Sequence, residues 1–177
     1  MFLDRRQRDK AAAVLAEKIE RFKPRQDHPD RQIYQQITGN WGRFEPVASF
    51  PAGSRPQLPL VFRNAGSVKL SAAKIDMVRV LGELRDYLQG NPRELDGNRI
   101  DPAAIGWRIV RGNEAKFLGQ PVEWQLDLTA RDKHRDTRAM VEVPVDEAGA
   151  WLVTAQLPGG NTARMVVWLE AAALLKR

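Results

Sequence analysis

At 177 residues, 43% of them hydrophobic, the chain has the size of one large domain, or of a small domain with an appendage, and enough apolar material for a packed core. The lack of cysteine excludes disulfides, thiolate metal ligands, cysteine nucleophiles and thioesters, while leaving the redox compartment open. A formal net charge of +6 arises from 28 Lys and Arg against 22 Asp and Glu, and the two signs are mixed along most of the chain, which reads first as a solvated surface. No stretch approaches the ~20 apolar residues of a membrane-spanning helix, and MFLDRRQRDK lacks the apolar run of a signal peptide, so any export signal is expected outside this chain.

In chain order, residues 4–22 read as a helix, with Ala11, Leu15, Ile19 and Phe22 on one stripe, Val14 beside them, Asp4 available as N-cap and Pro24 as the stop. A shorter helix is expected from Pro29 through Ile33, Tyr34 and Ile37 to Gly39, a suitable C-terminal cap. The two form a helical hairpin over residues 1–40, which buries little by itself and must pack on the following domain or on helices that precede it.

From Trp41 the hydrophobic period changes to two. Phe44, Ala48 and Phe50 share a face, with Pro46 marking an edge or bulged strand, and Pro51 to Pro56 form a turn. Leu58, Leu60 and Phe62 alternate with polar or smaller neighbours, and after the Asn64-Ala65-Gly66 turn so do Val68, Leu70 and Ala72. A helix interrupts at about 76–90, capped by Asp76, striped by Met77, Leu81, Leu84 and Leu88, and stopped by Gly90 and Pro92. Residues 91–106 read as loop with one helical turn begun by Asp101-Pro102, and Trp107–Val110 as a short strand. Strands return at Val122, Trp124, Leu126 and Leu128, and at Ala139, Val141, Val143 and Val145.

The last hairpin organises the rest. Trp151, Val153, Ala155 and Leu157 face one way and Leu152, Thr154 and Gln156 the other. The cluster Pro158-Gly159-Gly160-Asn161 makes the turn, and Ala163, Met165, Val167 and Leu169 then alternate with Arg164, Val166 and Trp168. About seven short strands within residues 41–177 predict a mainly β fold: a two-sheet antiparallel sandwich of immunoglobulin or fibronectin type, with one inserted helix.

Two segments carry a family resemblance. Gly149-Ala150-Trp151-Leu152-Val153-Thr154-Ala155 resembles the penultimate strand of macroglobulin domains, with Trp151 where tyrosine is usual. Phe62-Arg63-Asn64 after an apolar strand, then Val68 to Ile75-Asp76, with Phe50-Pro51-Ala52-Gly53 before it, is similar to a segment near the amino end of bacterial alpha-2-macroglobulin-like proteins. The resemblance covers almost the whole chain. It implies an amino-proximal macroglobulin-type domain over residues 41–177, with residues 1–40 as the end of a helical, repeat-like region. It further implies a periplasmic or extracellular location, neighbouring domains of the same large chain as partners, and proteases as partners of the full-length protein alone.

Candidate sites are few. His28 and His134 lack the spaced companions of a zinc site and sit in polar stretches, where solvation is the expectation. Arg5, Arg6, Arg8 and Lys10, and separately Arg131, Lys133, Arg135 and Arg138, form two basic clusters without a recognition helix or stacking platform, so nucleic acid is disfavoured as a partner. Gly159-Gly160 belongs to a turn rather than a phosphate loop, because no lysine follows and no helix is expected there. Trp124 and Trp151 are expected in core or half-buried packing. No catalytic residue, cofactor site or metal site is assigned, and the expected role is a non-catalytic scaffold with domain-docking contacts at Trp168, Val166, Tyr34 and Ile37. The alternatives are an independent binding module, either an adhesive sandwich or a weakly basic nucleic-acid-binding protein.

Overall fold

The structure is a computed structural model that describes residues 7–47, 49–90, 93–112 and 114–171; Asp4, Arg5, Arg6 and Ala48 lie outside the described residues. Helix α1 spans Arg8–Phe22 and α2 spans Pro29–Thr38. Lys23, in the left-handed region at φ 43°, ends α1 by donating its N–H to the Ile19 carbonyl at 2.9 Å, one residue before Pro24. His28 is not simply solvated: as N-cap of α2 its Nδ1 accepts from the Asp30 N–H at 3.2 Å. Ala11, Ala12 and Ile37 form the seam of the pair, with Leu15, Ile33 and Tyr34 against it. The buried stripe is thus rotated toward the small residues of α1, and Val14 and Phe22 are exposed.

The segment expected as one strand from Trp41 to Phe50 is two. β1 (Trp41–Phe44) and β2 (Phe50–Pro51) belong to different sheets, and after β1 Pro46 has no N–H to continue a ladder. With β3 (Gln57–Arg63), β4 (Ser67–Lys74), β5 (Val122–Asp127), β6 (Thr137–Glu142), β7 (Gly149–Gln156) and β8 (Thr162–Glu170), the described residues form a three-stranded sheet, β1-β3-β6, and a five-stranded sheet, β2-β8-β7-β4-β5. The pairings are antiparallel, as expected of the sandwich, except the two-residue pair of β2 with β8, which is parallel.

The period-two reading holds where the sheets face each other. Phe44, Leu58, Leu60, Phe62 and Val141 from the small sheet meet Val68, Leu70, Ala72, Trp151, Val153, Ala155, Val167 and Leu169 from the large one. Trp151 is 7% exposed and directs its indole N–H to the Glu147 carbonyl at 3.0 Å, while Trp124 is half-buried at the edge strand. Gly149, two residues before Trp151, has φ +139°, and a Cβ there would stand 3.0 Å from Lys74 Cε, whose ammonium lies 5.9 Å from the Trp151 ring centroid. The glycine-x-aromatic spacing therefore has a local physical cause.

The other face of the large sheet is covered by a layer of helices, larger than the single inserted helix the sequence predicts. α3 (Met77–Gln89), α4 (Gly97–Ile100), α5 (Pro102–Arg111) and a 3-10 turn at Ala115–Phe117 follow one another. Val80, Ile105, Ile109 and Phe117 pack on Ile75, Ala150 and Leu152, with Val166 beside them. Residues 107–110 are helix, not strand: Ile105 and Ile109 are four apart, the spacing of one helical face. In α3 the buried residue is Val80, with Met77 beside it, and Leu81 and Leu88 are exposed. The helix starts at Asp76, whose carboxylate accepts from Arg79 N–H at 2.9 Å and whose own N–H donates to the Phe117 carbonyl at 2.8 Å.

Candidate docking surface

The densest polar constellation lies where β3 ends. Arg63 is buried at 8% exposure, with its guanidinium 5.4 Å from the Trp41 ring centroid; its Nη2 donates to the Gln36 carbonyl at 2.7 Å and its Nη1 to Asp136 Oδ1 at 3.3 Å. Asn64, at φ 63°, donates from Nδ2 to the Ile37 carbonyl at 2.9 Å and the Gly39 carbonyl at 2.8 Å. Those carbonyls belong to the last turn of α2 and its cap, which leave the helix without intrahelical donors. Two adjacent side chains thus fasten the helical pair to the sandwich.

A second strap comes from α1. Arg8 donates from Nη2 to Asp136 Oδ2 at 2.9 Å, so Asp136 bridges Arg8 and Arg63. Burial pushes the Arg63 guanidinium below its ordinary value, the like charge of Arg8 adds to that push, and Asp136 opposes it. His134, predicted to be solvated, is half-buried, with Nδ1 2.9 Å from Asn64 Oδ1. On the far side, Asn161 in the β7–β8 turn donates to the Gly42 carbonyl and accepts its N–H, both at 2.8 Å. Gly160 passes so close to β1 that a Cβ would stand 2.3 Å from the Asn40 carbonyl oxygen.

The four residues proposed for docking fall in different places. Trp168 is exposed on β8 at 49%. Val166, on the same strand face, is partly covered by the helical layer. Tyr34 is half-buried and Ile37 fully buried in the seam of the helical pair, so Ile37 presents no surface to another domain. Additional exposed apolar groups are Trp107 at 62% on α5 and Val78, Leu81 and Leu88 on α3, none of which was singled out as a contact.

One member of the first basic cluster, Arg8, joins Arg131, Arg135 and Arg138 of the second, with Arg43 of β1, around one groove. Among the described residues no group of three or more His, Cys, Asp or Glu is placed to hold a metal ion, and no helix is long and apolar enough to cross a membrane.

No protein-family model matches the chain, and no curated protein matches it in sequence. Among solved structures it is similar to native alpha-2-macroglobulin from Escherichia coli. The crystal structure spanning domains MG0-NIE-MG1 is 12% identical with a TM-score of 0.45, over 73% of this chain and 38% of that one. The crystal structure spanning NIE-MG1 is 13% identical with a TM-score of 0.40, over 73% of this chain and 61% of that one. The cryo-EM reconstruction of the native conformation is 12% identical with a TM-score of 0.39, over 74% of this chain and 8% of that one. This chain therefore spans less than two thirds of each.

Proposed function

We propose that residues 41–177 are a macroglobulin-type domain and residues 1–40 the end of a preceding helical region. Together they serve as a non-catalytic scaffold and docking module of a larger bacterial alpha-2-macroglobulin-like envelope protein, the full length of which traps proteases. The observation that carries this reading is the use of Arg63-Asn64, the pair at the centre of the sequence resemblance, to tie α2 to the sandwich through three side-chain-to-carbonyl hydrogen bonds. A polar pair spent on holding two elements together belongs to a framework, and the proposed docking contact to a neighbouring domain is the exposed ring of Trp168.

The test uses the purified chain and its parent gene. The chain alone is expected neither to inhibit a protease nor to become covalently attached to one, having no cysteine for a thioester. The gene is expected to encode an export signal and a run of further sandwich domains. Stoichiometric protease inhibition by the isolated chain, or a reading frame limited to this segment, would overturn the proposal.

A further inference from the structure

On the outer face of the three-stranded sheet, Arg43, Val61 and Arg138 are direct cross-strand partners, Arg43 with Val61 and Val61 with Arg138. This row floors an open groove of about 900 Å³, bounded at one end by Arg8 and by Arg131 and Arg135 of the β5–β6 connection. Among the described residues the groove contains two carboxylates, each already matched: Asp136 lies 2.7 Å from Arg8 Nη1, and Glu45 lies 2.7 Å from Arg138 Nη2. The side chains of Arg43, Arg131 and Arg135 make no hydrogen bond or ion pair among the described residues. Three guanidiniums therefore converge on one concavity with their donors unspent.

The rim that presents them is held in place. Arg131 and Arg135 face each other across a backbone bridge, and Lys133 and His134 between them hold left-handed φ angles of 61° and 54°. Such backbone is costly for residues other than glycine and persists where its surroundings impose it. Here the imposed contacts are His134 to Asn64 at 2.9 Å and the Arg8 guanidinium to the His134 carbonyl at 3.4 Å.

We propose that this groove binds a carboxylate-rich, extended polypeptide segment. The guanidinium fork matches carboxylates, as the groove's own Asp136 and Glu45 illustrate. Among the described residues the lining has one apolar residue, Val61, and no aromatic ring on which a base could stack, and its two carboxylates interrupt any continuous phosphate track. A chain of separated acidic side chains fits that alternation, whereas a single small anion would leave guanidiniums on different elements unmatched.

The experiment titrates a fluorescein-labelled octa-glutamate peptide with the full chain at low ionic strength and reads anisotropy. Saturable binding is expected. It should weaken at least tenfold in the triple variant Arg43→Ser, Arg131→Ser, Arg135→Ser, and be unchanged in Arg21→Ser, Arg25→Ser, which removes exposed arginines elsewhere. Because the side chains of the three groove arginines make no hydrogen bond or ion pair among the described residues, the triple variant should melt with the wild type. The single variant Arg43→Ser, on a different element from the other two, is expected to weaken binding by itself. Inorganic phosphate and a single-stranded oligonucleotide of equal charge are expected to compete poorly. Absence of saturable binding, wild-type affinity in the triple variant, or tighter binding of the oligonucleotide would overturn the proposal.

Discussion

Asn64 Oδ1 stands 2.9 Å from His134 Nδ1, and both residues hold left-handed backbone, at φ 63° and 54°. Since Asn64 Nδ2 faces two carbonyl oxygens, its Oδ1 must be the acceptor, which assigns the proton to His134 Nδ1. The amide thus serves three partners on two elements. Asn64→Ala should lose about 3 kcal/mol: ~1 for each of the two bonds to α2 and ~1 for placing alanine in left-handed backbone. Asn64→Asp keeps the acceptor but turns an oxygen toward the Ile37 and Gly39 carbonyls, and is expected to lose at least as much. Urea unfolding measures both, and hydrogen exchange should show α2 opening before the sandwich.

Arg63→Lys should be costly although it keeps the charge. One ammonium cannot reach the Gln36 carbonyl and Asp136 while stacking its plane on Trp41, as the guanidinium does. A loss of about 1–2 kcal/mol is expected, of the order of one or two net hydrogen bonds. Arg55→Lys, at an exposed pair with Glu142, serves as the control with a change under about 0.5 kcal/mol.

Trp151 is held between the sheets, so Trp151→Ala should cost about 3–5 kcal/mol in chemical denaturation. Gly149→Ala tests the turn into that strand: at φ +139°, with Lys74 Cε 3.0 Å from the new methyl, alanine must strain the backbone and move the lysine off the ring. A loss of about 1–3 kcal/mol is expected there.

How much of this was legible in the sequence differs by element. The strands announced themselves because a half-buried strand alternates, and Trp151, Val153 and Ala155 do face the core as their spacing requires. The helical layer did not, since its contacts fall on the second face of the large sheet: Ala150 and Leu152 look like ordinary alternates until α5 covers them. Ile105 and Ile109 after Asp101-Pro102 carried a helical signal that the short apolar run Trp107–Val110 obscured. The stripe of α3 suggested Leu81 and Leu88 as inward residues, but Val80 and Met77 are the ones that meet Ile75, Ile105 and Phe117, partners that no local pattern supplies. At the junction, Arg63-Asn64 stood out by resemblance, whereas Asp136 and His134 are some seventy residues away and no local pattern links them to it. The arginine groove was hidden for the same reason: its members come from α1, β1, β6 and a turn.

Acid should loosen the helical pair. The hydrogen bond from Lys18 holds the Asp30 carboxyl below its ordinary value, with charge attraction from Lys18 and His28 adding to it and desolvation opposing it. A carboxyl with a depressed folded pKa contributes stability that is complete above its unfolded value, ~3.9, and is lost as pH falls through the lower folded value. Protection against hydrogen exchange at α1 and α2, relative to the intrinsic rate at each pH, is therefore expected to fall below about pH 4, and Lys18→Met should remove most of that dependence; a profile unaltered in Lys18→Met would assign the pH effect elsewhere.

Trp168 separates docking from folding. Its ring is 49% exposed on the outer face of β8, paired in register with Ala150, and the inward residues Val167 and Leu169 on either side of it carry the core contacts. Trp168→Ser should therefore change the stability of the isolated chain by less than about 1 kcal/mol, as for other surface positions. In the parent protein the same change is expected to do more, because a half-exposed indole that gains a partner surface is the kind of anchor on which interfaces depend. Hydrogen exchange along β8 and the fluorescence of Trp168, read in a variant whose other tryptophans are replaced by phenylalanine, should differ between the isolated chain and the parent. An indole equally exposed in both would remove Trp168 from the docking surface and leave Trp107 on α5 as the exposed aromatic to test next.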